Sequence, residues 1–270
     1  MGTVTSKDGT CIVFDKSGHG PPIILVVGAF NDRATGAPLA QFLKRRFTVF
    51  NYDRRGRGES GDTAPYTVER EIEDLQALIA QAGGSACVFG YSSGAILALR
   101  AASDGLAISQ LALYDPPPTG AKAGQLAPQL TELITAGRRG EAVELFQTEA
   151  VGIPAAVVAQ MRNAPFRPAL EKMAHTLIYE STILQALPTG LIASVRVPTL
   201  IIDGEKSPEV MRQAAQSLAE ALPNGRYRTL EGQTHDIAPA VLAPALEEFF
   251  LGEALRNESE NSPGNTSNSA

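Results

Sequence analysis

The chain has 270 residues, 44% of them hydrophobic and 19% charged, which suits one large α/β domain or two small ones. Its 23 Lys and Arg against 29 Asp and Glu leave a net charge of −6, which argues against nucleic acid or an anionic membrane surface as a partner. With no Trp and only two cysteines, Cys11 and Cys87, the core is aliphatic, and neither a disulfide framework nor a metal-ligand pattern is present; no cofactor is expected.

The amino terminus is polar, with no leader pattern, and no apolar run is long enough to span a bilayer, so the expected compartment is the cytoplasm. Met1-Gly2-Thr3-Val4-Thr5-Ser6 fits the loose myristoylation string but reads better as the start of a first β-strand. Val4–Ser6 and Cys11–Lys16 are β-type runs around the hairpin signal Asp8-Gly9, and both cysteines fall in strands, where a thiol acts as a small buried hydrophobe. Ile23–Val27 suits a fully buried strand and leads into the turn Gly28-Ala29-Phe30-Asn31-Asp32. Leu39, Phe42 and Leu43 share one face of a helix over 39–46, and Phe47–Tyr52 is the next strand. It is closed by Asp53-Arg54-Arg55-Gly56-Arg57-Gly58-Glu59-Ser60, whose basic cluster reads as local ion pairing.

Thr67 caps a helix that carries Ile72, Leu75, Leu78 and Ile79 on one face and stops at Gly83-Gly84. The apolar run Cys87-Val88-Phe89 then enters Gly90-Tyr91-Ser92-Ser93-Gly94 and continues as a small-residue helix. This strand–turn–helix setting turns a Gly-x-Ser-x-Gly string into a candidate nucleophile elbow: a serine at the tip of a strained turn needs neighbours without side chains, and the helix amides then face developing negative charge. Leu111–Tyr114 is a further strand, ending in Asp115. Strands alternating with helices predict βαβ units and a mostly parallel sheet.

The rhythm changes at Pro116-Pro117-Pro118. Residues 119–194 show only helix patterns, broken by Pro154, Pro165, Pro168 and Pro188, as expected of a helical cap set between two parts of a core domain, 1–118 and 195–251. Leu126, Leu130, Phe146, Met161 and Leu177 are expected to line a mainly apolar pocket beneath it. Strand Thr199–Asp203, helix Pro208–Leu222, strand Arg226–Leu230 and helix Pro244–Leu251 follow. The Asn-, Ser- and Gly-rich stretch 252–270 reads as a disordered tail, and its two glycosylation strings, at Asn257 and Asn265, as chance.

A serine needs a base, itself oriented by a third group. Of three histidines, His19 lies in a Gly/Pro loop on the edge away from the elbow, and His175 lies in a cap helix, on its face or against a substrate. His235 leaves the final strand in Glu231-Gly232-Gln233-Thr234-His235-Asp236, on the carboxyl edge where the elbow also opens, and is the expected base.

Together, Val27-Gly28-Ala29-Phe30, the Asp53–Ser60 segment, the elbow, Val197–Gly204 and Gly232–His235 resemble the α/β-hydrolase superfamily over nearly the whole chain except the tail. The resemblance implies an α/β-hydrolase fold with an eight-stranded sheet, a cap after the sixth strand and a Ser…acid…His order. It implies oxyanion donors at the Ala29 and Ser93 amides, and a substrate pocket bordered by Phe30 and Tyr91. Two departures stand out. Val27 replaces the His commonly found after the third strand, and Ser207 stands where many members carry the acid, in a Gly-x-x-Asp pattern read from Gly204. Asp115, where some members place theirs, ranks first as replacement, Glu205 second and Asp203 third; Asp236, adjacent to His235, is poorly placed to aim at it. The expected activity is hydrolysis of a small ester, lactone or thioester by the serine. The missing Gly-x-x-Asp acid keeps a second reading open, in which the fold binds a small molecule or works as a lyase or cyclase. Oligomeric state is not legible.

Overall fold

A computed structural model describes the backbone of residues 1–260 and the side chains of residues 1–252. Its centre is a single eight-stranded sheet in the order β1-β2-β4-β3-β5-β6-β7-β8. The strands are β1 (Gly2–Thr5), β2 (Cys11–Gly18), β3 (Pro22–Val26), β4 (Thr48–Tyr52), β5 (Ala86–Tyr91), β6 (Ile108–Tyr114), β7 (Thr199–Gly204) and β8 (Gly225–Leu230). The pairs β1/β2 and β2/β4 are antiparallel, and every other pair is parallel. The expected mostly parallel, eight-stranded α/β-hydrolase architecture is therefore what the chain adopts.

Helices cover both faces, as fully buried parallel strands require. On one face α2 (Val68–Gln81), α3 (Ser93–Ser103) and α10 (Glu209–Ala221) bury residues such as Leu75, Leu97 and Leu218 against Ile24, Val88 and Leu113. On the other, α1 (Arg33–Leu43) and α11 (Pro239–Glu260) bring Leu39, Leu43, Leu246 and Phe250 onto Ile23, Phe89 and Ile202.

Both helices of that second face start earlier than the sequence pattern indicates. Pro38 and Pro244 read as boundaries, yet each lies inside its helix. For α1, the Asp32 side chain caps the Ala34 amide at 2.8 Å. The buried contact over the sheet outweighs the backbone bond each proline forfeits. Phe42, expected on the buried face, is exposed, and so is Cys11, whereas Cys87 is buried as expected. The final helix runs on to Glu260, so the expectation of a disordered tail from Gly252 is corrected over residues 252–260; residues 261–270 and the glycosylation strings lie outside the described residues and side chains.

Between β6 and β7 the described residues form only helices: α4 (Ala127–Thr135), α5 (Arg139–Glu149), α6 (Ala155–Gln160), α7 (Arg167–Lys172), α8 (Thr176–Ile183) and α9 (Leu191–Ser194), with short 3₁₀ turns. Leu126, Leu130, Phe146 and Leu177 form a small core of their own, onto which Ala29 and Phe30 of the β3–α1 loop pack. No helix among the described residues is long and apolar enough to cross a membrane.

Candidate active site

The sheet's strand order reverses between β3 and β5, and in open α/β sheets ligands bind outside the carboxyl ends of the strands at such a switch point. Four loops meet there, after β3, β5, β6 and β8, and three of their residues share an uncommon feature. Phe30, Ser92 and Asp115 are the non-glycine residues with positive φ among those described, at 59°, 54° and 46°. Backbone strain of this kind persists where surrounding structure over-determines it.

At the elbow the glycines are required by close approach. A Cβ on Gly94 would lie 2.3 Å from the Val26 carbonyl oxygen, and one on Gly90 would lie 2.6 Å from Ala95 Cα. One on Gly28 would fall 2.8 Å from Ser92 Cβ and 3.3 Å from its Oγ. The turn is thus wedged between β3 and the start of α3, with Ser92 (φ 54°, ψ −128°) at its apex. The Ser92 amide donates to the Tyr114 carbonyl at 2.9 Å, which ties the apex to β6.

Asp115, fully buried, is the carboxylate brought to His235: Nδ1 lies 3.0 Å from Asp115 Oδ2. An ionised carboxylate only accepts, so Nδ1 carries the proton and Nε2 keeps its lone pair. Asp115 Oδ2 also accepts from the Ser207 hydroxyl at 2.5 Å, and Oδ1 from the Gly204 amide at 3.4 Å. Ser207, at the position of the Gly-x-x-Asp acid, therefore touches the carboxylate that meets His235. The two alternatives go elsewhere. Glu205 accepts from the Gly232 amide at 2.8 Å and so pins the loop leading to His235, and Asp203 accepts from the Tyr227 hydroxyl at 2.5 Å. Tyr114 further fixes that loop by donating to the Thr234 carbonyl at 2.5 Å. Neither Ser207 nor Tyr114 stood out as a site residue in the sequence; the only available signal was the vacant acid position at 207.

Ser92, Ser93, Ala29, Phe30, Tyr91 and His235 line one cavity of about 260 Å³, closed by Pro117, Phe146, Leu184 and Met211. The Tyr91 and His235 rings lie 5.1 Å apart, and burial, with the Asp236 and Asp115 carboxylates nearby, pushes the Tyr91 phenol far above its ordinary range, so the phenol itself stays neutral. No hydrogen bond joins Ser92 Oγ to the imidazole among the described residues; such bonds commonly tighten once substrate binds. Among the residues expected from the inserted segment only Phe146 reaches this cavity, packed edge-to-face on Phe30 at 5.6 Å. Leu126, Leu130 and Leu177 instead fill the segment's own core, and Met161 is not among the cavity's lining residues. His175 points away, 3.4 Å from Asp62, and His19 is exposed in the loop between β2 and β3. A larger groove of about 530 Å³ beside Pro116–Pro118 and α10 is lined by no ionisable side chain. No group of three or more His, Cys, Asp or Glu among the described residues could hold a metal ion.

Comparison with known proteins bears on the family and the fold. A crystal structure of an alpha/beta hydrolase from Sphaerobacter thermophilus is 53% identical and superposes with a TM-score of 0.85, covering 92% of this chain and 100% of that one. The polyketide synthase ThaQ of Burkholderia thailandensis is 28% identical over 271 residues, 89% of this chain but only 12% of that protein's length. The N-formylmaleamate deformylase of Pseudomonas putida is 26% identical over 230 residues, 82% of this chain and 84% of the relative. The Alpha/beta hydrolase family matches residues 19–247, most of the described chain, and the chain belongs to that family.

Proposed function

We propose that this hydrolase cleaves a small ester, lactone or thioester through Ser92, His235 and Asp115, with an acyl-enzyme intermediate. The 3.0 Å contact between His235 Nδ1 and the buried Asp115 carboxylate carries the reading, because it supplies the orienting group that the Gly-x-x-Asp position lacks. In this scheme Nε2 takes the Ser92 proton as Oγ attacks the carbonyl carbon. The oxyanion is met by the Ala29 and Ser93 amides, the latter in the first turn of α3, where the helix leaves its N–H groups free. The imidazolium returns its proton to the leaving group, and water, activated by the same nitrogen, releases the acid.

A cavity of about 260 Å³ lies just below the roughly 300–1,000 Å³ typical of drug-sized ligands, which favours a small acyl group. Its mainly apolar wall, with the Asp236 side chain beside His235, favours an uncharged acyl group over an anionic one. The inserted helices act as a cap, contributing Phe146 and Leu184. The case for a binder, lyase or cyclase rested on the missing acid, and a carboxylate on His235 weakens it.

Intact-mass analysis after exposure to a fluorophosphonate tests the reading. The wild type is expected to gain one adduct and Ser92→Ala none. Ester turnover that survives in Ser92→Ala, from a wild type that resists the probe, refutes it.

A further inference from the structure

The Arg54-Arg55-Gly56-Arg57 cluster is not merely local ion pairing. Arg55 does pair locally, with Asp74 of α2 and with Asp8. Arg54 also pairs with Glu71 of α2, but one of its nitrogens, and one of Arg57, reach Glu180 of α8, more than 120 residues away along the chain. All three of these latter side chains are buried.

Both arginines also donate to the loop that follows β3. Arg54 Nη1 donates to the Val27 carbonyl at 3.1 Å. Arg57 Nη1 donates to the Gly28 carbonyl at 2.6 Å and to the Asn31 carbonyl at 3.0 Å. The Asn31 side chain holds the Ala29 carbonyl at 2.6 Å. The carbonyls flanking the candidate oxyanion amide are thus taken up one after another. The Gly28–Ala29 peptide is trans, and in a trans peptide C=O and N–H point in opposite directions. Fixing the Gly28 oxygen on Arg57 fixes the Ala29 N–H on the other side of the same plane. Ala29 lines the cavity with Ser92, and no protein acceptor takes its amide among the described residues.

We infer that Arg57, clamped by Glu180 of the inserted segment, is the positioning residue that aims the Ala29 amide at the oxyanion. Glu180 supplies the charge that makes the clamp tolerable. Burial alone would push its carboxyl up, but the Arg54 and Arg57 guanidiniums hold it below its ordinary value. The same carboxylate therefore seats the helical segment on the core and sets the loop beside Ser92. The inference rests on the hydrolase reading above.

The test compares an ester with its thionoester, in which sulfur replaces the carbonyl oxygen and accepts hydrogen bonds poorly. A well-aimed oxyanion amide makes the wild type prefer the ester; a loosened one erodes that preference. Arg57→Lys keeps a positive charge but cannot bridge two carbonyls and a carboxylate. It is expected to lower ester kcat by roughly 10²-fold, the lower end for loss of one oxyanion donor, with KM nearly unchanged and the ester-to-thionoester ratio reduced about tenfold. Glu180→Gln is expected to move the ratio in the same direction and carries the test if Arg57→Lys does not fold. Arg55→Lys, in the same loop and equally buried but without a bond to residues 27–31, is expected to lower Tm and leave the ratio unmoved. If Arg57→Lys or Glu180→Gln is folded and keeps the wild-type ratio, the inference is overturned while the hydrolase reading stands. A wild type that turns over no ester fails that reading instead.

Discussion

Asp115→Asn is the sharpest single perturbation of the candidate site. The carboxylate is fully buried and receives three donors: His235 Nδ1 at 3.0 Å, Ser207 Oγ at 2.5 Å and the Gly204 amide at 3.4 Å. A carboxamide has one acceptor oxygen, so it can keep either the imidazole and Ser207, which share Oδ2, or the Gly204 amide on Oδ1. If its NH₂ faces His235, Nδ1 must give up its proton and Nε2 must carry one, which removes the base. The analogous change in a serine protease triad lowers kcat about 10⁴-fold, equivalent to roughly 5.4 kcal/mol at 1.36 kcal/mol per decade. Hydrogen bonds to a charged group are worth about 1.5–3 kcal/mol each, and losing one predicts a Tm lower by roughly 3–12 °C for a domain of this size. Steady-state hydrolysis of a p-nitrophenyl ester, with differential scanning fluorimetry on the same samples, reads both. Glu205→Gln and Asp203→Asn, whose carboxylates bond Gly232 and Tyr227 instead, are expected to stay within about tenfold of wild type, since neither touches the imidazole. An Asp115→Asn enzyme retaining a tenth of the wild-type rate, or a larger loss in Glu205→Gln, would refute the assignment of the acid.

Ser207→Ala removes the shortest of the three donors and is expected to cost about 3- to 10-fold in kcat/KM, read in the same assay, because the imidazole contact survives. Exchanging the two side chains, Asp115→Ser with Ser207→Asp, is expected to recover at least 10²-fold over Asp115→Ser alone, because the two seats lie within hydrogen-bond distance; no recovery would show that the imidazole cannot use the second seat. Gly94→Ala drives a methyl to within 2.3 Å of the Val26 carbonyl oxygen and should destabilise the fold by about 1–3 kcal/mol or more, seen as a lower urea midpoint, with the elbow displaced and activity lost. Burial raises the Asp62 carboxyl, but His175 and Tyr179 more than offset this and hold it below its ordinary value. A depressed carboxyl pKa stabilises the fold at neutral pH, and that contribution fades below about pH 4, the ordinary carboxyl value, and is lost as pH falls through the lower folded value. Asp62→Asn should therefore lower Tm at pH 7, by an amount worth under ~1 kcal/mol for so exposed a group, and lower it less at pH 3.

Features whose geometry is local could be read along the chain. The elbow is one, because a buried strand, two glycines around a serine and a small-residue helix are demanded by contacts within a few residues and one neighbouring strand. The candidate base is another, because only three histidines compete and loops after parallel strands open on a known edge. Features that depend on which side chains converge from distant segments could not be read. The helical periodicity of Leu126, Leu130 and Leu177 showed that they are buried but not against what, and they turn inward to their own small core. Pro38 and Pro244 looked like helix boundaries because propensity is summed locally, whereas the contact between α1 and α11 over the sheet is not local. Arg57 read as part of a local ion-pairing cluster in a turn, because its partner Glu180 is 123 residues further on.

The acid position follows from the same distinction. The Gly-x-x-Asp pattern records an address in the chain, whereas an imidazole responds only to negative charge at a point in space. Strands β6 and β7 are adjacent and parallel, and the Asp115 amide bonds the Ile202 carbonyl at 2.8 Å, so the loops that leave them emerge side by side. A carboxylate carried by either loop can reach the same place, as the 2.5 Å contact between Ser207 Oγ and Asp115 Oδ2 shows directly. For a carboxylate at the end of β6 to serve His235 there is one local requirement: the side chain must turn toward β7 at once, and Asp115 has the positive φ of such a turn. Asp is among the non-glycine residues that tolerate this conformation best, and the Ser207 hydroxyl beside it donates to its carboxylate.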